Sequence, residues 1–109
     1  MTAPAPMFHD PIFDGPTDPT ILWNPLEKNW WIVYTQRRAN VDATGVAWVH
    51  GTDLGVASSS DGGRSWLYRG TLNLQAIEPG RNTYWAPEIL FYEGLCHMYV
   101  SYITGVPAA

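Results

Sequence analysis

Apolar and polar residues follow one another along this chain in short runs, and turn-forming residues separate the runs. Each run is rich in β-branched and aromatic residues, as β-strands are. No stretch repeats its apolar positions with the period of about 3.6 residues that marks an amphipathic helix. The pattern therefore predicts six β-strands, which cover residues 20–24, 30–38, 54–60, 66–72, 84–92 and 96–103.

Short connections join these strands in pairs. NPLEKN (24–29) links the first two strands, DGGRS (61–65) links the third and fourth, and EGL (93–95) links the last two. Connections of this length and composition favour hairpins, in which neighbouring strands run antiparallel. We therefore expect an all-β fold that is mostly or wholly antiparallel.

Three segments interrupt the strand pattern. Residues 1–17 contain four prolines and a glycine, which predicts an extended N-terminal arm. Residues 39–53 are polar but include Trp48 and His50, so we expect a long surface loop of the kind that often carries function. Residues 73–83 cross from the fourth strand to the fifth.

The two halves of the chain resemble each other. DPTILWNPLEKNWWIVYT (18–35) and APEILFYEGLCHMYVSYI (86–103) each contain an acidic residue beside a proline, an apolar run, a turn and an aromatic strand. The spacing between them is about 68 residues, which indicates an internal repeat. We expect a first unit of four strands over residues 18–72, and a second unit over residues 73–109 that consists of the crossing loop and two strands.

Charge and composition exclude several classes of partner. The 109 residues include 6 Lys+Arg and 10 Asp+Glu, for a net charge of -4, and no basic run, so neither nucleic acid nor an anionic membrane is an expected partner. No apolar stretch approaches the roughly 18 residues of a membrane span. The first residues lack the charged and apolar regions of a secretory signal, which leaves the location open and favours the cytoplasm. Cys96 is the single cysteine, so we expect no intrachain disulfide and no cysteine-based zinc site.

Residues 59–66, SSDGGRSW, fit the pattern Ser-x-Asp-x-Gly-x-Ser/Thr-Trp and resemble an Asp box. In such a turn Asp61 accepts hydrogen bonds from backbone amides, the glycines permit positive φ and Trp66 packs under the turn. We expect a structural role for this motif, in the hairpin between the third and fourth strands.

Longer segments resemble an enzyme family. Residues 18–35 are similar to the first-blade signature of glycoside hydrolase family 43 and its five-bladed β-propeller relatives, and YWAPEILFYEGLCHMYVSY (84–102) is similar to their second-blade signature. The resemblance covers about residues 13–103, with the Asp box between the two signatures. It implies an antiparallel four-stranded propeller-type blade plus a partial second blade, which together form an incomplete five-bladed β-propeller.

The resemblance also implies an activity, the hydrolysis of O-glycosidic bonds of oligo- or polysaccharides with inversion. Matched by position, Asp18 is the general base that activates water, and Glu88 is the second carboxylate, which tunes the acid and orients the sugar. The family usually has Asp where this chain has Glu88, and contact with a sugar hydroxyl is the alternative role. The general acid of the family is a Glu on the third blade, which this sequence does not reach. From the residues alone, a carboxylate beside a proline at a strand start is more often a turn cap.

Further residues are candidates to hold the sugar. Trp85 and Trp48 are placed to stack on a sugar ring, which buries the apolar face of that ring. His50 lies in the same long loop as Trp48, although a loop histidine is usually just solvated. Arg37 and Arg38 end the second strand, and alternation sends one side chain to each face, so at most one of them faces the site.

A closed propeller needs more strands than this chain supplies. Propellers have at least about sixteen strands, and the second unit leaves an unpaired strand edge, which soluble proteins normally cover. The chain is a fragment of a longer protein, a small protein that closes by self-association, or an inactive remnant. We expect a homo-oligomer joined through the unpaired blade edges, with the acid supplied by a neighbouring copy.

Two other functions stay open. The first is carbohydrate binding, or a purely structural role, without the acid. The second is a sialidase-like activity, which the Asp box alone suggests and which would need a cluster of arginines that this chain lacks. Some family members hold calcium in the channel, but no acidic loop here has the spacing of a calcium site. We therefore expect no cofactor and no metal.

Overall fold

The computed structural model describes residues 5–42 and 44–106, and this part of the chain contains six antiparallel β-strands. The first four form one sheet in the order β1-β2-β3-β4, and the last two form a second sheet. The strands are β1 (Pro16–Asn24), β2 (Asn29–Gln36), β3 (Asp53–Ser59), β4 (Leu67–Thr71), β5 (Thr83–Tyr92) and β6 (Leu95–Ile103). The predicted all-β class, the antiparallel pairing and the division into four strands and two are confirmed.

Two 3-10 helices of three residues each, Ala47–Val49 and Leu74–Ala76, lie in the two long connections. None of the helices in the described residues is long or apolar enough to cross a membrane. Residues 1–4 of the predicted arm, residue 43 of the long loop and residues 107–109 of the second unit lie outside the described residues.

The long loop over residues 39–53 is only partly at the surface, because its last residues are buried against β5. The N–H of Gly51 donates to Thr83 Oγ1 at 2.9 Å, and the N–H of Tyr84 donates to the Thr52 carbonyl oxygen at 3.1 Å. Gly51 and Thr52 are both buried. The prediction of a surface loop is therefore wrong for this end of the segment, which holds the start of β5 in place.

Both sheets contain a β-bulge at the same point of the repeat. β1 bulges at Asp18 and β5 bulges at Ala86, and both residues have a φ of 50°. Each precedes a proline, which has no N–H to donate to the neighbouring strand. Because pairing continues on both sides of a bulge, β1 begins at Pro16 rather than at residue 20, and Asp18 lies inside the strand. Glu88 likewise lies inside its strand, in the middle of β5.

The main core lies between the two sheets. The β5–β6 hairpin covers one face of the four-stranded sheet, where Val33, Leu54 and Val56 pack with Leu74 and Tyr84. All five side chains are buried. Strands β1 and β5 are in contact as a result, so the two bulges come to the same end of the molecule.

The N-terminal arm covers part of the other face of the four-stranded sheet. Met7 and Phe8 of the arm pack against Ile32 and Tyr34, which are buried residues of β2. Strand β2 is therefore covered on both faces, which explains why its residues from Ile32 to Gln36 are buried without the usual alternation.

Asp10 is the centre of the hydrogen bonds that hold the arm. Its Oδ2 accepts hydrogen bonds from the Tyr34 hydroxyl at 2.5 Å and the Gln36 amide at 2.8 Å, and its Oδ1 accepts the N–H groups of Ile12 and Phe13, each at 2.8 Å. Burial alone would raise the pKa of the Asp10 carboxyl, but these hydrogen bonds outweigh it and hold the pKa below its ordinary value. Burial, together with the hydrogen bond to Asp10 and its charge, raises the pKa of the Tyr34 hydroxyl.

The turn between β3 and β4 has the hydrogen bonds expected from its sequence. Asp61 Oδ1 accepts the N–H groups of Arg64 at 3.0 Å and Ser65 at 2.9 Å, and Trp66 Nε1 donates to the Gly63 carbonyl oxygen at 3.1 Å. Hydrogen bonds from the hydroxyl and then the N–H of Ser65 are the main reason that the pKa of Asp61 lies well below its ordinary value. The predicted hydrogen bonds from backbone amides to Asp61 are confirmed, and both carboxylate oxygens of Asp61 accept hydrogen bonds from residues of the turn.

The ring of Tyr34 lies directly over Gly55 of β3. A Cβ atom at Gly55 would overlap Cζ of Tyr34. We therefore expect Gly55→Ala to lower the free energy of unfolding by about 1–3 kcal/mol, because the ring must shift and its contact with Asp10 is disturbed.

Urea unfolding followed by circular dichroism measures this change. Thr71→Ala is the control, since Thr71 of β4 pairs with Gly55 of β3 and is exposed. This variant should change the free energy of unfolding by no more than about 0.5 kcal/mol. Equal stability of the Gly55→Ala variant and the control would contradict the close contact with the Tyr34 ring.

Candidate functional site

A cleft of about 420 Å³ opens at the end of the molecule where β1 and β5 begin and β2 and β6 end. Its volume falls within the range of sites that bind small molecules. Both bulges border the cleft, and bulges near a site commonly redirect side chains. The lining residues are Thr17, Asp18, Thr35, Arg37, Val49, Trp85, Ala86 and Ser101.

Three of the predicted site residues line this cleft: Asp18, Arg37 and Trp85. Asp18 is exposed at the bulge of β1. Trp85 immediately precedes the bulge of β5, and its indole Nε1 donates to the Val49 carbonyl oxygen at 2.7 Å. The fold therefore places a solvent-accessible carboxylate and a fixed indole ring in one cleft.

Trp48 and His50 do not line the cleft, but each lies beside a residue that does. The guanidinium carbon of Arg37 lies 5.4 Å from the centre of the Trp48 ring, within the range of a cation–π contact. The His50 ring lies 5.7 Å from the Trp85 ring. Its Nδ1 is buried and has no hydrogen-bond partner among the described residues.

The two arginines at the end of β2 have different surroundings. Arg37 lines the cleft, and its Nε donates to the Gly15 carbonyl oxygen at 3.1 Å. Arg38 instead binds the 3-10 helix Ala47–Val49 and the residue after it. Its Nε donates to the His50 carbonyl oxygen and its Nη2 donates to the Ala47 carbonyl oxygen, both at 2.8 Å. Only Arg37 of the two lines the cleft. Both arginines follow Gln36, the last residue of β2, so the prediction that they end the strand is wrong and strand alternation does not explain their different surroundings.

Glu88 is not among the residues that line the cleft. It is exposed, and its Oε1 accepts a hydrogen bond at 2.9 Å from the hydroxyl of Thr20, the residue 68 positions earlier in the repeat. By the same correspondence, Asp18 matches Ala86. The two acidic residues therefore occupy different positions of their units, and Glu88 links β5 to β1.

Three polar residues of the cleft were not among the sequence candidates: Thr17, Thr35 and Ser101. Thr35 joins the two sheets, because its Oγ1 accepts the N–H of Ala86 at 2.7 Å. An alternating count along β2 places Thr35 on the same face as the core residue Val33. The sequence carries no signal that β5 crosses that face, which is why Thr35 was missed.

The charges in the cleft are balanced but not paired. Among the described residues, the cleft is lined by one carboxylate, that of Asp18, and by one guanidinium, that of Arg37. No ion pair joins them at the 4.0 Å limit, since both ion pairs found in this part of the chain lie elsewhere. Residues 5–42 and 44–106 contain no group of three or more His, Cys, Asp or Glu side chains that could hold a metal ion.

No protein-family model and no curated protein matches this chain. A functional assignment therefore depends on the geometry of the cleft and on the resemblance of the two sequence signatures.

Proposed function

We propose that this protein binds carbohydrate in the cleft and hydrolyses O-glycosidic bonds of oligo- or polysaccharides with inversion. The observation that carries the proposal is the presence of an exposed carboxylate, Asp18, and the indole of Trp85 in one cleft. An indole stacks on the apolar face of a sugar ring, and a carboxylate takes a proton from an attacking water. The similarity of residues 18–35 and 84–102 to the family 43 signatures agrees with this chemistry.

Asp18 is the general base in this reaction. A φ of 50° is a strained conformation for a residue other than glycine, and it persists because β1 pairs with β2 on both sides of the bulge. Inversion also requires a protonated acid about 6.5–9.5 Å from the base, which leaves room for water. Asp18 is the only carboxylate that lines the cleft within the described residues. We therefore assign the acid to another chain.

Glu88 has a supporting role in the proposed reaction. The hydrogen bond from the Thr20 hydroxyl holds its Oε1, while the side chain as a whole is exposed. Because Glu88 does not line the cleft, Oε2 is the oxygen that contacts a hydroxyl of a sugar unit extending beyond the cleft. Because Thr20 is a buried residue of the strand that carries Asp18, this hydrogen bond couples the position of Glu88 to that of β1.

We further propose that the two sheets are one full blade and one partial blade of a five-bladed propeller, and that other copies of the chain complete the blades and the site. Among the described strands, β6 pairs with β5 alone, so its other edge presents unpaired N–H and C=O groups. Leu95, Tyr99 and Tyr102 of β6 are 64%, 66% and 41% exposed. An edge bordered by exposed apolar side chains is suited to pairing with a strand of another copy.

Two measurements test this function. Light scattering coupled to size exclusion gives the mass of each peak, and an assay on a panel of aryl glycosides gives its turnover. An oligomeric peak with turnover supports hydrolysis at a composite site. Turnover by a monomer keeps the hydrolysis but overturns the composite site, and no turnover in any peak overturns the hydrolysis. The Asp18→Asn variant, purified in parallel, controls for a contaminating glycosidase.

The second candidate function is carbohydrate binding without catalysis. The specific observation in its favour is the single carboxylate of Asp18 among the described residues of the cleft. Titration calorimetry with oligosaccharides separates the two functions. Binding without any released product favours the binding protein, whereas binding accompanied by product favours the enzyme.

A further inference from the structure

The guanidinium of Arg37 is held in a fixed position in the cleft. Its Nε donates to the Gly15 carbonyl oxygen at 3.1 Å, and its carbon lies 5.4 Å from the centre of the Trp48 ring. Gly15 belongs to the N-terminal arm, and Trp48 belongs to the 3-10 helix Ala47–Val49. The Arg37 side chain is half-buried between these two segments. Since an arginine side chain normally loses much rotamer entropy when it binds a ligand, this support lowers the cost of binding.

The two terminal nitrogens of the Arg37 guanidinium, which recognise anions, make no hydrogen bond to the described residues. Nε is its only nitrogen with a hydrogen-bond acceptor there, which leaves the two terminal nitrogens without one. Asp18 lines the same cleft but lies beyond the 4.0 Å limit of an ion pair. The parallel N–H groups of a guanidinium match the two oxygens of a carboxylate.

We propose that Arg37 makes the cleft selective for glycans that bear a carboxylate, such as a uronic acid unit, over neutral glycans of the same shape. This inference rests on the proposed carbohydrate-binding function of the same cleft. The carboxylate of the sugar binds the terminal nitrogens of Arg37. Asp18 repels the same group, so the two side chains together fix one orientation of the sugar, with its carboxylate directed away from the proposed base.

Arg37 explains this selectivity better than the overall charge of the protein does. The net charge of -4 repels anionic ligands at long range, and salt screens such repulsion within about 10 Å at 0.1 M. A charge-assisted contact in a half-buried cleft is screened less. We therefore expect the acidic glycan to bind tighter because of Arg37 itself, and this preference to disappear when the fork of donors is removed.

The test measures binding to two matched probes by titration calorimetry at pH 7: an oligomer of galacturonic acid, and an oligomer of galactose with the same linkage and length. For the native chain, we expect the acidic probe to bind about 10- to 100-fold tighter than the neutral one. Arg37→Gln should lose this difference. Arg37→Lys should keep only part of it, because an ammonium group does not offer the bidentate fork.

Arg64→Gln is the matched control. Arg64 lies in the exposed turn between β3 and β4, and its N–H, not its guanidinium, makes the contact with Asp61. This variant should retain the preference for the acidic probe. Thermal unfolding of both Arg37 variants shows whether they fold, and the conservative Arg37→Lys change keeps the test usable if Arg37→Gln does not.

The outcomes separate this inference from the function on which it rests. If the neutral probe binds as well as the acidic one, or if Arg37→Gln keeps the preference, selectivity by Arg37 is overturned and carbohydrate binding stands. If neither probe binds to the native chain, both proposals are overturned. A preference lost equally in Arg64→Gln would assign the effect to net charge and overturn the role of Arg37.

Discussion

The Asp18→Asn variant should lose glycoside turnover by about 10²- to 10⁴-fold, the contribution typical of a positioned general base. An amide has nearly the shape of a carboxylate but does not take a proton from water. Asp18 is exposed, so the change should leave the stability of the fold within about 0.5 kcal/mol. The measurement is the initial rate on the best aryl glycoside of the panel, under saturating conditions, with substrate affinity determined separately.

Glu93→Gln provides the matched control for this prediction. Glu93 is an exposed residue in the turn between β5 and β6, at the opposite end of that hairpin from the cleft. The control should retain the full rate. An Asp18→Asn rate within about twofold of the native rate would rule out Asp18 as the base. An unchanged affinity with a lost rate would assign Asp18 to catalysis rather than to binding.

The Asp10→Ala variant should lose about 3 kcal/mol of unfolding free energy, a large part of the roughly 5–15 kcal/mol of a small domain. The change removes the acceptor for the Tyr34 hydroxyl, the Gln36 amide and two backbone N–H groups. A buried donor without an acceptor costs about 1–3 kcal/mol, although water that enters the site will satisfy some of these groups. Urea unfolding measures the loss.

Asp14→Asn is the control for this prediction, because asparagine tolerates the φ of 50° at this position and alanine does not tolerate it as well. Asp14 is also an acidic residue of the arm, but its side chain is 66% exposed and, among the described residues, is hydrogen-bonded to His9 alone. We expect a change within about 0.5 kcal/mol. A similar stability for the two variants would show that the Asp10 hydrogen bonds do not hold the arm. If Asp10→Ala does not fold, Asp10→Asn retains one acceptor oxygen and provides a milder variant.

The pH dependence of stability checks the same contact. Because the folded pKa of Asp10 is lowered, its charge contributes stability above the ordinary pKa of 3.8, and this contribution is lost as the pH falls through the lower folded value. Asp10→Asn does not titrate at this position, so its stability should fall less steeply below about pH 4. Asp61 titrates in both proteins, and the difference between them therefore isolates Asp10.

Strand positions and turns followed from the sequence because they depend on neighbouring residues. A run of apolar residues that is rich in β-branched and aromatic side chains defines β2, and its bounds differ little from the prediction. The turn at residues 59–66 depends on the side chain of Asp61 and on amides within four residues of it. Local interactions of this kind are present whatever the rest of the chain does, so a single sequence is enough to predict them.

The bulges were not predicted, although they place the candidate base. A bulge depends on the pairing of two strands, and pairing joins residues that are distant in the sequence, such as Pro16 and Gln36. The sequence showed only that a proline follows Asp18 and Ala86. The pairing then decided that the strands continue through these residues.

What the sequence determined by itself is the all-β class, the antiparallel hairpins and the local turn chemistry, and it named three residues that line the cleft. The tertiary structure decided which side chains share an environment. It separated Arg37 from Arg38, bonded Glu88 to Thr20 outside the lining of the cleft, and buried Asp10 of the N-terminal arm against β2. The physical reason is that burial and hydrogen-bond partners depend on which segments pack together, and that packing is a property of the whole chain.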